Sequence, residues 1–328
     1  MASRSSVLAA ASLVLSLVAC HGPRSPGEPA PPHLPFADDL DLPSLAQALE
    51  RCRARPAAAT AGQAAERLLR ILERIPAGLG RHEALLAAFR ARALPGPVLL
   101  TAYYEPALRV RSRPDAVFRW PIHALPADPA ERARTRREIY DGALDGRGLE
   151  LAWTDDPFAL FLAHVQGSAR MHHEDGRIVP LRYAGTNGQP YRALGAVLVA
   201  RGHLPREQAT LPGIRRAVSA YPEQELLALL AENPRYTFFA LGVGPDPVGS
   251  FGIPLTAGRS VAADPALLPP GSLLWLDMPS VQRFVVVQDT GVAITGHRLD
   301  LFAGAGPTAE TFAGTLRDRG VVYVLEPR

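Results

Sequence analysis

Two aspartates, Asp289 and Asp300, flank a glycine-bearing turn in the stretch DTGVAITGHRLDLFAGAG at 289–306. The apolar run Phe284-Val285-Val286-Val287 leads into Asp289 as a strand would, and Asp300 opens a second apolar segment, Leu301-Phe302. Gly291 and Gly296 between them permit a sharp turn or the close approach of a ligand. Two carboxylates returned to one cleft in this way can do acid–base work, one held protonated to give up a proton and the other supporting it. The same spacing also fits two turn aspartates that merely accept backbone donors. Asp264, in AADP, reads as a cap or turn residue ahead of Pro265, and Arg259, in AGRS, could pair with one of the carboxylates and orient it. His172 and His173 are adjacent and so point apart, and no spaced Cys/His set, phosphate loop or GxSxG elbow occurs. Neither a metal nor a cofactor is expected.

Further segments accompany this one: TAYYEP at 101–106, GALDGRGLELAWTDDP at 142–157, VQGSAR at 165–170, YAGTNGQPY at 183–191, NPRYTFF at 233–239 and PLTAGRSVAADP at 254–265. Over roughly residues 98–325 the chain resembles the MltA family, the membrane-bound lytic murein transglycosylases A with their C-terminal 3D domain. Two departures stand out: Val292 replaces a glycine usual in that family, and Thr295 stands where a lysine is frequent, removing one positive charge.

The resemblance implies a mainly β fold with a helical N-terminal part: a double-psi-type β-barrel interrupted by an inserted second β-barrel, with a groove between them. It implies a catalytic domain of residues 38–108 and 236–328 and an insert of residues 109–235. The implied activity is cleavage of the β-1,4 bond between N-acetylmuramic acid and N-acetylglucosamine in peptidoglycan, leaving 1,6-anhydromuramoyl ends. Asp300 then takes the place of the single general acid and base, and Asp289 that of a supporting carboxylate. Glycan strands are the expected partner, with Tyr103, Tyr104, Gln166, Ser168, Arg259 and Gly291 contacting them. Trp153 and Tyr191 offer further flat faces that serve a groove or a core equally well, and Asn187 and Gln189 further hydrogen-bonding edges. Glu105 is a lower-ranked acid, since a glutamate before Pro106 more naturally closes a strand. A two-carboxylate hydrolase and a non-catalytic peptidoglycan-binding lipoprotein are the alternatives; the retained pair of aspartates speaks against the second.

The rest of the chain supplies an address and a scaffold. Its 328 residues, 47% hydrophobic, suffice for two domains with a substantial core. A net charge of +3, carried entirely by arginines dispersed among acids, does not suit nucleic acid. Arg4 and the apolar stretch Val7–Val18 suit a signal peptide at 1–19, and Leu17-Val18-Ala19-Cys20 resembles a bacterial lipobox. Acylation of Cys20 would anchor the chain to lipid, and the absence of Asp at position 21 resembles outer-membrane sorting to the periplasmic face. Cys52 is then unpaired, and the Pro-rich stretch to residue 37 reads as a semi-rigid tether.

Apolar residues at helical spacing between Pro43 and Ala93 predict two or three amphipathic helices, with His82 and Glu83 on a solvated face. Short β-like runs follow at Val98–Tyr104, Val117–Ile122, Ile178–Tyr183 and Val197–Val199, and again from Phe238 to Val324. Helices are predicted at Asp156–Val165, with an aspartate cap ahead of a first-turn proline, and at Pro222–Leu230.

Overall fold

The computed structural model describes residues 34, 36–53, 61–244 and 246–328. The signal segment, Cys20 and most of the Pro-rich tether lie outside the described residues. Three N-terminal helices, α1 (Leu42–Arg53), α2 (Ala61–Arg74) and α3 (Leu79–Ala88), precede β1 (Phe89–Ala93) and β2 (Val98–Glu105). Leu45, Ala48, Leu49 and Cys52 of α1 recur at three- and four-residue intervals and are all buried, so one face of the helix is committed to the core.

After β2 the chain enters a second β unit. It comprises β3 (Ala107–Arg111), β4 (Trp120–His123), α4 (Pro129–Arg132), α5 (Arg136–Tyr140), β5 (Glu150–Thr154), α6 (Pro157–Gln166), β6 (Ala169–His173), β7 (Ile178–Thr186), α7 (Leu194–Ala200), α8 (Leu211–Val218), α9 (Glu223–Leu230) and β8 (Thr237–Leu241). The chain then returns to the first unit with β9 (Ser260–Ala262), β10 (Leu273–Asp277), β11 (Gln282–Asp289), β12 (Arg298–Ala305), α10 (Pro307–Thr315) and β13 (Arg317–Pro327).

The first sheet runs β1-β13-β10-β11-β9-β12-β2, and β2 pairs back onto β13, so β13, β10, β11, β9, β12 and β2 form a closed barrel with β1 appended. Closure depends on the length of β13. Its first residues pair with β2, from Arg317 opposite Thr101 to Gly320 opposite Val98. The continuation, Val321 to Val324, pairs with β10. The second sheet runs β4-β5-β3-β6-β7-β8, and a parallel bridge between Ala124 and Phe239 draws its two edges together into a nearly closed barrel. This is a two-barrel architecture with mixed helix and sheet, as the resemblance implies. Strand β8 belongs to the second sheet because it pairs with β7 from Leu241 opposite Leu181 to Thr237 opposite Thr186. That sheet therefore continues to Leu241, beyond the boundary expected at 235.

The unbroken apolar run of β11 is explained by burial on both faces. Val285 and Val287 join Val261, Leu274 and Leu276 in one cluster, inside the barrel. Phe284 and Val286 face the other way, against Leu45, Leu49, Leu68 and Trp275 beneath the N-terminal helices.

Several local expectations change on contact with the structure. Residues Val197–Val199 are helical, not extended: Leu194, Val197 and Leu198 of α7 are buried at helical spacing, and their packing overrides the β preference of valine. His82 is not simply solvated, since its Nδ1 hydrogen-bonds the Leu34 backbone and its ring stacks on Phe36. Helix α6 has the expected cap, with Asp156 accepting from the backbone N–H groups of Phe158 and Ala159, Pro157 in the first turn, and Gly167 closing the helix at φ 80°.

Candidate functional site

Strands β2 and β12 lie side by side and parallel, with Asp300 opposite Thr101 and Phe302 opposite Tyr103. Because side chains alternate along a strand, these four project to one face. The Thr101 hydroxyl donates to Asp300 Oδ1 at 2.6 Å, and the rings of Tyr103 and Phe302 pack at 5.3 Å. Asp289, at the end of β11, is brought to the same place: the Tyr103 hydroxyl donates to its Oδ2 at 2.8 Å. Its Oδ1 accepts from the backbone N–H groups of Ser250 at 2.7 Å and Thr290 at 2.8 Å. The Ser250 contact needs Gly249, where a Cβ would lie 2.5 Å from the Gln288 carbonyl oxygen and 3.1 Å from Asp289 Cγ.

The two carboxylates are therefore in different states of engagement. Both oxygens of Asp289 already accept, and it is 9% exposed. Asp300 accepts from Thr101 on Oδ1, and among the described residues no donor reaches its Oδ2. Burial pushes the Asp300 carboxyl up from 3.8 to about 6, against the opposing effects of the Thr101 hydroxyl and the Arg298 guanidinium, with the Asp289 charge adding to the rise. Burial, and then the Asp289 charge, hold the Tyr103 phenol well above its ordinary value, so it is a dependable donor.

Among the other expected site residues, Asp264 caps as its sequence context suggests. Its Oδ1 accepts from Ala266 N–H and its Oδ2 from Gly296 N–H, which pins the turn between β11 and β12. Gly291 lies in that turn, its carbonyl accepting from Ile294 N–H, and Gly296 takes a positive φ of 62°. Val292 is exposed at the tip.

Arg259 does not orient either carboxylate. It is wholly buried on the far side of the barrel wall, where it binds Asp38 at 2.7 Å, the Ser44 hydroxyl at 2.9 Å and the carbonyls of Asp41 and Phe284 at 2.7 Å each. It stands just before β9 with its guanidinium on Asp38, Asp41 and Ser44, so its role is to tie the start of the N-terminal helices to the barrel.

Tyr104 points away from Tyr103, onto the opposite face of β2. It is buried beside Glu310 of α10 and Arg215 of α8, which pair with each other, and burial raises its phenol first of all. There it lines a recess of about 280 Å³ between the two barrels, together with Gln166, Tyr191, Leu194, Ile214 and Ala313. Gln166 Oε1 accepts from Tyr104 N–H at 3.4 Å, and Ser168 sits half-buried between α6 and β6. Tyr191 is 46% exposed on the wall of that recess, and burial raises its phenol against the opposing charges of Arg298 and Arg136. Trp153 is half-buried on β5 in the second sheet.

Asn187 is structural: its amide donates to the carbonyls of Arg134 and Pro234 and its oxygen accepts from Tyr236 N–H. Gln189 likewise donates to the Ala133 carbonyl. Glu105 pairs with Arg170 of β6 at the crossing between the barrels and leaves Oε1 buried without a partner. Thr101 and Arg298 are the site residues that sequence reading passed over. The alternation in Thr101-Ala102-Tyr103 was the available signal, since whatever face holds Tyr103 must also hold Thr101.

With this geometry in view, the relatives of the chain are informative. The MltA specific insert domain matches residues 99–240 and the 3D domain matches residues 259–326. Membrane-bound lytic murein transglycosylase A of Vibrio cholerae is 38% identical over 242 residues, and that of Escherichia coli K12 is 34% identical over 245. Each match covers 70% of this chain and 66% of the relative, just under two thirds of those relatives' length. Among solved structures, E. coli MltA with bound chitohexaose superposes at a TM-score of 0.82, with 28% identity over 88% of this chain and 91% of that one. The lytic transglycosylase LtgG of Burkholderia pseudomallei gives 0.61, with 33% identity over 87% of this chain and 90% of that one. The fold is the two-barrel fold of these solved lytic transglycosylases. Within that class, the chain belongs to the MltA family of membrane-bound lytic murein transglycosylases A.

Proposed function

We propose that this chain is a peptidoglycan lytic transglycosylase in which Asp300 acts first as general acid and then as general base. The observation that carries the assignment is the unequal pair. Asp300 is kept partly protonated near neutral pH with one oxygen open, while Asp289 has both oxygens occupied. Each oxygen of Asp289 is already engaged by a fixed donor, which makes Asp300, with Oδ2 unengaged, the better placed of the two to deliver a proton.

The steps balance without water. Asp300 Oδ2 gives its proton to the glycosidic oxygen as the bond from C1 of N-acetylmuramic acid breaks, leaving an oxocarbenium-like centre and an N-acetylglucosamine hydroxyl. The 6-hydroxyl of the same muramoyl residue attacks C1, and Asp300, now a carboxylate, takes that hydroxyl's proton. Tethering gives the nucleophile a high effective concentration, so no second base is required. Asp289 supports the positive centre and fixes Tyr103, whose ring packs at a tilt against Phe302 beneath the sugar path. Gln166, Ser168 and Tyr191 are assigned to the glycan, and Gly291 to the turn that admits it.

The groove lies between a barrel assembled from both ends of the chain and the inserted barrel that E. coli MltA shares. The chitohexaose bound to that protein supports a β-1,4-linked aminosugar strand as the occupant here. We assign the chain to the periplasmic face of the outer membrane through acylated Cys20. No helix among the described residues is long and apolar enough to cross a membrane, and the curated relatives are named membrane-bound.

The experiment is digestion of purified sacculi followed by mass spectrometry of the muropeptides. Ends lighter by one water than ordinary muramic acid are expected; ordinary reducing ends would instead indicate a hydrolase.

A pH profile follows from the same carboxyl. Its pKa is raised, so the active protonated form is complete below about 6 and is lost above it. On this basis kcat/KM on sacculi should decline roughly tenfold per pH unit once the pH exceeds that value. A rate flat from pH 5 to 8 would remove Asp300 from the acid role.

A further inference from the structure

Arg298, the first residue of β12, reaches the acid only through another side chain. Its NH2 donates to Thr101 Oγ1 at 3.4 Å and its NH1 to the Ala293 carbonyl at 3.3 Å, while its Nε–H is buried without a partner. Thr101 Oγ1 lies 2.6 Å from Asp300 Oδ1 and 3.4 Å from its other acceptor, the Leu299 carbonyl, so the shorter contact directs its one hydroxyl hydrogen to the acid. A hydroxyl that accepts from a guanidinium has its hydrogen directed away from that cation, here toward the carboxyl. An arginine placed for packing alone would have its donors satisfied; this one leaves Nε–H unsatisfied while it reaches Thr101.

We infer that Arg298 is the positioning residue of the acid: acting through Thr101 it reserves Oδ1 of Asp300 as an acceptor, so that Oδ2 both delivers and reclaims the proton. The inference builds on the assignment of Asp300 as acid and base. It also gives this chain a cation near the acid, three residues after Thr295, where a lysine is frequent in the family.

The groups facing Asp300 are few. Thr101 and Tyr103 come from β2, Asp289 from β11 and Arg298 from its own strand, while β9 places the uncharged Ala262 opposite it. Of these, Arg298 and Thr101 favour the ionised carboxyl and Asp289 opposes it. Loss of Arg298 therefore raises the pKa of the acid, and the alkaline fall in rate must move to higher pH. A merely structural loss would depress the rate at every pH without moving that fall.

The test is the pH dependence of kcat and KM on sacculi for the full chain, Arg298→Gln, Arg298→Lys, Thr101→Val, Thr101→Ser and the double variant Arg298→Gln/Thr101→Val. Arg298→Gln should lower kcat about tenfold with KM within about twofold, and shift the alkaline limb upward by roughly half a pH unit or more. Arg298→Lys should return the limb to its place, and Thr101→Ser should behave as the parent. In the Thr101→Val background Arg298→Gln should cost less than about threefold more, because the path it uses is already cut. Should Arg298→Gln unfold, the comparison of Arg298→Lys with Thr101→Val carries the same pH readout. A limb that stays put, or independent multiplication of the two losses, overturns the inference. If Asp300→Asn kept its activity, it would be the acid assignment itself that fails.

Discussion

Asp300→Asn is expected to release no measurable anhydromuropeptides from sacculi, a loss of about a thousandfold or more, with its cooperative unfolding intact. Asparagine preserves the shape and can still accept from Thr101, but it has no proton to give and cannot take one back. Two barriers are thus raised by one substitution. The stability of this variant is also informative. The carboxyl's pKa is raised on folding, from 3.8 to about 6, so the folded state binds the proton more tightly than the unfolded chain. The stabilising contribution is fully present below the unfolded value and is lost as pH rises through the folded one. Removing the ionisable group should therefore leave the melting temperature at pH 7 unchanged or higher, the expected sign for a site held in a costly state for the sake of chemistry. Melting and turbidity assays on one preparation read both outcomes; an active Asp300→Asn, or an inactive one that is also unfolded at pH 7, contradicts this account.

Arg259→Met carries the largest expected penalty in stability. The guanidinium is fully buried and its donors hold Asp38, Ser44 and two carbonyls. Methionine fills a similar volume but strands the Asp38 carboxylate and those carbonyls without their partner, at a cost of about 3–5 kcal/mol. Urea unfolding should show the midpoint fall accordingly, and the helices α1 to α3 should exchange their amide hydrogens sooner than the second barrel. The fraction that stays folded should retain its kcat, since Arg259 touches neither aspartate. A selective loss of kcat without a shift in midpoint would restore the reading of Arg259 as a partner of the catalytic pair.

The contrast between those two residues shows what a sequence of this kind reveals. Asp289 and Asp300 were legible because a strand, a glycine turn and a second strand force both carboxylates toward one rim, and their separation is local. The cap of α6 was legible for the same reason. Arg259 was not: its partner Asp38 is distant in sequence, and nothing local states which way the residue ahead of β9 faces. Tyr103 and Tyr104 adjoin in sequence, yet the period of a strand puts them on opposite faces of β2, so one meets Asp289 and the other lines the recess between the barrels. Residues Val197–Val199 misled because valine favours strands, whereas burial of Leu194, Val197 and Leu198 along one side decided for a helix. The second sheet's extension through β8 depends on pairing with β7 across three intervening helices, which periodicity cannot reveal.

Closure of the first barrel by its last strand has a consequence for how the molecule comes into being. Thr101 and Asp300 are separated by 199 residues, and β2, which carries Thr101, is sealed into the wall only when Arg317 to Gly320 arrive. A ribosome must pass residue 300 before the two side chains can meet and residue 320 before the wall closes over them, and such distant pairings form late. A polypeptide that has not yet supplied β12 and β13 therefore lacks the joined pair of Thr101 and Asp300, and whatever that pair does waits on the last-made strands of the barrel.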